Sequence, residues 1–257
     1  MTTHILGDTA TLTGRSMKHV TRSPDTIITT AVMPIAIMLL FVYVLGGAVN
    51  TGQDAGSGEY IAYVLPGILL ITVAMGISYT AYRLFTDLQS GIFDRFHSMP
   101  IARSAALWAH VLTSLTANAI SVVLVTGVAF LMGFRTGAGV PGWLAVAGIM
   151  VLFIFALTWV AVLSGLSAKS VDGASAVLQP LIFLPFISSA FVPTESMPGP
   201  VRWFAEHQPV TSIVNTIRDL FAQQPVSSDI WVALAWCVGI SIAAYVATMV
   251  VYRRKIA

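Results

Sequence analysis

Charge is the scarcest commodity in this 257-residue chain: only 9% of its residues are Asp, Glu, Lys or Arg, against 56% that are hydrophobic. Soluble domains carry about 25% charged residues. A chain this poor in charge cannot cover a globule with polar surface, so its solvent is lipid. There is one cysteine, Cys237, inside an apolar run, which excludes an internal disulfide framework and a thiolate metal cluster. No glycine precedes any of the three lysines, which excludes a Gly-Lys-Ser/Thr phosphate loop. HExxH, CxxC and GxSxG are absent as well. No apolar run carries Asp, Glu, Lys or Arg at its centre, so the carboxylates and bases of an ion-coupled transporter are missing. The net charge of +2 is near neutral, its placement matters more than its size, and no nucleic-acid partner is expected. Such a bundle must draw its energy from a partner.

What is present is a series of long apolar runs. A spanning helix needs about 20 mostly apolar residues. Six segments are predicted to span: Ile27–Ala48, Tyr60–Tyr82, Ala109–Gly133, Trp143–Leu166, Ala174–Val192 and Ile230–Tyr252. The fifth is the weakest, being short and holding Pro180 and Pro185. The predicted fold is an all-α membrane bundle forming a single transmembrane domain over residues 1–257.

The loops carry a charge bias. With the N-terminus inside, Arg15, Lys18, Arg22, Arg83, Arg95, Arg103, Lys169, Arg253, Arg254 and Lys255 fall on the cytoplasmic side. Arg135, Arg202 and Arg218 fall outside. The positive-inside rule therefore puts both termini in the cytoplasm. Residues 1–25 are too polar to span and read as a helix lying in the cytoplasmic interface, or else as a tail. Residues 193–228 hold short amphipathic pieces broken by Pro193, Pro198, Pro200, Pro209 and Pro225. They predict a re-entrant helical hairpin at the outer face before the last span, with an ordinary surface loop as the alternative.

Two groups of residues are candidates for function. The island Gln89–Arg103, QSGIFDRFHSMPIAR, lies between two spans within a cytoplasmic segment of residues 84–106. Phe93, Phe96, Met99 and Ile101 can fill a hydrophobic groove, and Asp94, Arg95 and Arg103 can set its register at the rim. Its alternative is a solvated loop. Inside the spans, Phe41, Tyr43, Met75, Tyr79, Phe183 and Phe186 offer an apolar, aromatic and Met-bearing path suited to greasy cargo. The same side chains serve equally as core or lipid contacts. His110 and Asn118 are polar groups in a span and need partners, as packing hydrogen bonds or as substrate contacts.

Four stretches together carry a resemblance. Arg22-Ser23-Pro24 with Pro34 and Gly46 opens the first span, and Tyr63-Val64-Leu65-Pro66-Gly67 opens the second. Gly91 through Arg103 follows, with Arg95, Pro100 and Arg103 at characteristic spacing. Phe191-Val192-Pro193, Met197-Pro198-Gly199, Pro209-Val210 and Arg218-Asp219-Leu220 complete it. The pattern resembles the ABC-2 type permease subunits of bacterial exporters, especially those of the daunorubicin-resistance type. The resemblance implies a non-catalytic half-transporter of the bacterial cell membrane, paired with a second permease. It also implies two copies of a cytoplasmic ABC subunit, which bind the ATP and Mg that this chain does not. That subunit would dock on Phe93, Asp94, Arg95, Phe96, Met99, Pro100, Ile101, Arg103 and Lys169. The expected cargo is an amphipathic drug, antibiotic or lipid. A polysaccharide or glycolipid is the alternative, followed by a non-transporting role beside an ATPase.

Overall fold

The computed structural model describes Thr13 and residues 28–45, 57–90, 105–225 and 227–256. The expected interfacial helix, apart from Thr13, and the island residues 91–104 lie outside the described residues. Those that are described form helices and turns, with no strand among them.

The first apolar run forms α1 (Met33–Leu39), flanked by wide π-helical turns at Ile28–Val32 and Leu40–Leu45. Pro34 sits in the first turn of α1, directly after the helical turn Ile28–Val32, where it removes a donor to the preceding carbonyls. Then come three long helices: α2 (Ser57–Gln89), α3 (Ala105–Leu131) and α4 (Val140–Ser167). Helix α2 continues through Pro66 and runs seven residues beyond the predicted span end at Tyr82. Helix α4 starts with Pro141 just inside an extended Gly139 and stops at an extended Ala168.

The fifth run breaks into α5 (Val171–Ala176), α6 (Gln179–Phe183) and a tight turn at Leu184–Ile187. Pro180 and Pro185 each remove a donor and crowd the preceding turn, which restarts the helix twice. Ser188 repairs part of the loss by donating to the Pro185 carbonyl (2.6 Å) and accepting from the Ala190 N–H (3.1 Å). After a short turn at Thr194–Ser196 come α7 (Gly199–His207) and α8 (Pro209–Phe221), and then α9 (Asp229–Ile256).

Four helices are long and apolar enough to cross a membrane: Gly58–Gln89, Leu107–Leu131, Val140–Ser167 and Asp229–Arg254. The shortest of them, at about 1.5 Å per residue, exceeds a bilayer core of roughly 30 Å. The first and fifth runs give only shorter apolar helices, Thr30–Val44 and Val171–Ile187. By length the described residues thus hold four spanning helices where the apolar runs predict six.

Helix α2 is the axis of the bundle, with 78% of its most apolar stretch buried, against 28% for α3 and 22% for α9. It packs on α4, α3, α5 and α8, while α9 packs on α4 and α8. Helices α2, α3 and α4 alternate in direction, and α9, reached through the broken run and the hairpin, runs parallel to α4. The C-terminal ends of α2, α4 and α9 and the N-terminal end of α3 therefore share one end of the bundle, where Leu84, Leu107, Trp159, Leu166 and Tyr252 form a core. The hairpin α7–α8 lies at the other end. Buried Val210, Ile213, Val214, Ile217 and Phe221 of α8 join the main core.

Small residues set the closest helix approaches. A Cβ on Gly165 would lie 2.6 Å from the Ala81 carbonyl oxygen and 3.3 Å from the Ala81 Cα, so backbone meets backbone where α4 crosses α2. Neither helix can yield there without shifting along its length. Gly165→Ala is expected to cost about 1–3 kcal/mol through overpacking. A lowered melting temperature of the detergent-purified protein checks this; an unchanged one contradicts the crossing.

Candidate functional site

A polar seam joins α2, α3 and α4 in the half of the bundle that holds Leu84 and Trp159. Thr80 donates its hydroxyl to Ser114 (2.9 Å), and the Ser114 and Thr158 hydroxyls lie 3.1 Å apart. Asn118 Nδ2 donates to the Ser114 carbonyl (2.9 Å) and lies 3.3 Å from its hydroxyl. Asn118 Oδ1 faces Gly76, where any side chain would collide with it. The sequence places a small residue where α2 must admit a neighbouring amide. Nearer the helix ends, His110 Nε2 of α3 stands 3.3 Å from Asp87 Oδ2 of α2. Tyr79, Arg83, His110 and Asn118 border a cleft of about 20 Å³. That is room for about one water. His110 thus ties α3 to α2 through Asp87, whereas the hydrogen bonds of Asn118 stay within α3 and only its Oδ1 faces α2; both residues border the cleft.

The predicted path residues divide into separate groups. Phe41 and Phe186 both stack on Phe191, at centroid distances of 4.3 and 5.1 Å, and Phe183 lies 6.4 Å from Phe186. These rings link the first apolar run to the proline-broken one. Phe183 is exposed and Phe186 partly so. Tyr79 and Asn118 border the polar cleft instead. Met75 packs beside the main core, and Tyr43 is exposed. The described side chains do not gather into one continuous path. Of the predicted docking residues, Lys169 is exposed in the turn between α4 and α5. It lies at the end of the bundle where Gln89 and Ala105 bracket the island. Phe93, Asp94, Arg95, Phe96, Met99, Pro100, Ile101 and Arg103 lie outside the described residues.

The strongest polar construction is one that composition counts only as an outer charge. Arg218 of α8 turns into the bundle. Its Nε and Nη2 donate to the Tyr63 carbonyl (3.1 and 2.9 Å), and Nη2 also reaches the carbonyls of Ser189 (2.8 Å) and Ala190 (2.9 Å). Its guanidinium carbon lies 3.7 Å from the Tyr63 ring centroid. Burial pulls its pKa below the usual arginine range, while Tyr63 and Asp219 oppose that shift. The fork ties three elements together: α2, the non-helical stretch after Pro185, and the hairpin.

Neighbouring side chains reinforce the knot. Ser189 donates to Asn215 Oδ1 (2.8 Å), and Asn215 Nδ2 donates to Asp229 Oδ2 at the start of α9 (3.0 Å). Thr211 donates to the Ala205 carbonyl, and Gln208 donates to the carbonyls of Leu184 and Ile187. Backbone groups freed by the proline break are met by side chains of the hairpin. The signal in the sequence was positional: Arg218 follows Val214 by four residues, which puts it on the buried face of α8.

Long apolar helices packed around α2, joined by buried hydroxyls and closed at one end by a hydrogen-bonded hairpin, define an all-helical integral membrane protein. Residues 8–222 match the family described as ABC-2 type transporter, and the chain belongs to that family. Permeases of this family are the membrane-embedded components of transporters and work with ATP-binding ABC subunits. The chain is 31% identical over 255 residues to the daunorubicin resistance ABC transporter permease protein DrrB1 of Streptomyces coeruleorubidus, covering 96% of this chain and 87% of that one. It is 27% identical over 246 residues to the probable doxorubicin resistance ABC transporter permease protein DrrC of Mycobacterium tuberculosis, covering 94% and 87%.

Proposed function

We propose that this chain is the membrane subunit of an ATP-driven exporter that moves an amphipathic small molecule, of the drug or antibiotic class, out of the cell. The observation that carries the reading is the similarity, at 31% identity along 96% of the chain, to a daunorubicin resistance permease. In this reading all six apolar runs enter the bilayer, the two shorter ones completing a bundle of six. Both termini face the cytoplasm and the α7–α8 hairpin caps the outer end. Two permeases pair, and each receives a cytoplasmic ABC subunit that binds ATP and Mg. That subunit docks on the segment from Phe93 to Arg103, with Lys169 beside it. The topology favours this, because the α2–α3 connection and the α4–α5 turn share one end of the bundle. Closure of the ATPase pair favours one arrangement of the helices and so shifts their populations. The amphipathic cargo then leaves past the rings of Phe41, Phe183 and Phe186.

Coexpression with the ABC subunit in a drug-sensitive bacterium tests this. Daunorubicin accumulation is expected to fall only when the subunit can hydrolyse ATP. Equal accumulation with an active and an inactive ATPase would contradict it.

A further inference from the structure

A groove of about 420 Å³ opens between α3 and α4, beside α2, and its walls are apolar. Val122, Val123 and Phe130 form one side, and Trp143, Val146 and Met150 the other. The one hydroxyl in the groove, Thr126, is bonded to the Val122 carbonyl (2.8 Å) and leaves no unmet polar group. Gly127 also lines it, and a Cβ there would meet nothing within 4 Å. Position 127 thus opens onto the groove, where an alanine fits freely and only a large side chain would fill the space. From Val122 to Phe130 it runs roughly 12 Å along α3. That is close to one leaflet's share of a bilayer core of about 30 Å.

Its end nearest the α3–α4 turn carries a charge. Arg135 Nη1 donates to the carbonyls of Phe130 (3.3 Å) and Phe134 (2.9 Å), which holds the guanidinium against a wall residue of the groove. The side chain is exposed, and Nε and Nη2 donate to no other described residue. Arg135 itself borders a separate, shallow depression with Gly58, Glu59, Ala62 and Gly133, and Glu59 makes no ion pair with Arg135. Trp143 stands at this end too, the ring type that settles at a membrane interface.

We propose that this groove binds an anionic phospholipid of the adjacent leaflet, with one acyl chain between α3 and α4 and the phosphate on Arg135. The length selects a chain that stops at mid-bilayer. The free donors of a planar guanidinium select a phosphate. The inference holds for the membrane-embedded protein whatever its cargo.

Native mass spectrometry of the delipidated permease, titrated with phosphatidylglycerol and with phosphatidylcholine of the same chains, tests it. The first phosphatidylglycerol is expected to bind about fivefold more tightly than phosphatidylcholine, the worth of one interfacial arginine. Arg135→Gln, on an exposed turn, should make the two lipids equal. Gly127→Phe should weaken both, while Gly127→Ala should leave both unchanged. Equal binding of the two lipids by the unaltered protein would overturn the proposal, as would unaltered binding by Gly127→Phe. A changed permease stoichiometry in Gly127→Phe with lipid retention intact would make the groove a contact between copies. Displacement of the bound lipid by daunorubicin would make it a cargo site. Either result also overturns the proposal, and neither bears on whether the complex exports.

Discussion

Arg218→Ala is expected to lower stability by about 3 kcal/mol and to abolish export. Hydrogen bonds from a charged donor contribute roughly 1.5–3 kcal/mol each, and removing the donor leaves buried acceptors unmet. Arg218 supplies the carbonyls of Tyr63, Ser189 and Ala190 at once. Those of Ser189 and Ala190 lie in backbone with no helix of its own, so no neighbouring turn can take over. Arg218→Lys should rescue little. An ammonium is a point charge with three donors, and it cannot reproduce a fork that also stacks on the Tyr63 ring. A thermal melt of the purified protein, read beside drug accumulation in cells, separates the outcomes. Full stability of Arg218→Ala would show that the hairpin is held by its apolar face alone.

Arg95→Glu and Phe96→Asp carry the largest expected effect on transport, a loss of export with the permease still inserted. In the proposed docking, Phe93, Phe96, Met99 and Ile101 fill a groove of the ABC subunit and Asp94, Arg95 and Arg103 fix its register. A buried aromatic anchor accounts for more of such an interface than any rim contact, on the order of 2 kcal/mol or more. Burying a carboxylate in its place adds the cost of desolvating an unpaired charge. Reversing a rim charge creates like-charge contacts that weaken association further. Copurification of the ABC subunit should fall for both variants, while membrane content of the permease stays level. Undiminished export by stably inserted variants would refute the docking role.

Much of this molecule was legible in the order of its residues. Apolar length alone found α2, α3, α4 and α9, since twenty consecutive residues without a central charge have no other stable form in lipid. The doubt over the fifth run rested on Pro180 and Pro185, and the helix does break at both. The amphipathic periods within residues 193–228 became α7 and α8. Arg218 was counted among the outer charges and in the Arg218-Asp219-Leu220 stretch, but its turn into the bundle was not legible in either. Its partners are carbonyls, which no residue type announces. The Asp87–His110 pair joins the end of α2 to the start of α3 across a charged connection, so no single helix displays it. The aromatic path was legible only in part. Phe41 and Phe186 do meet on Phe191, with Phe183 beside Phe186, but Tyr43 and Met75 go elsewhere, because apolar side chains in a bundle of this kind serve core, lipid and cargo alike.

The most direct measurement of the central claim is made in sealed proteoliposomes holding this permease and its ABC subunit, ATP being supplied on the outside. Inverted complexes should concentrate daunorubicin in the lumen in an ATP-dependent manner, and daunorubicin should raise ATP turnover. Vesicles with Phe96→Asp should do neither. ATP hydrolysis that ignores every amphipathic compound offered, with no lumenal accumulation, would contradict the assignment of this chain as a drug-class export permease.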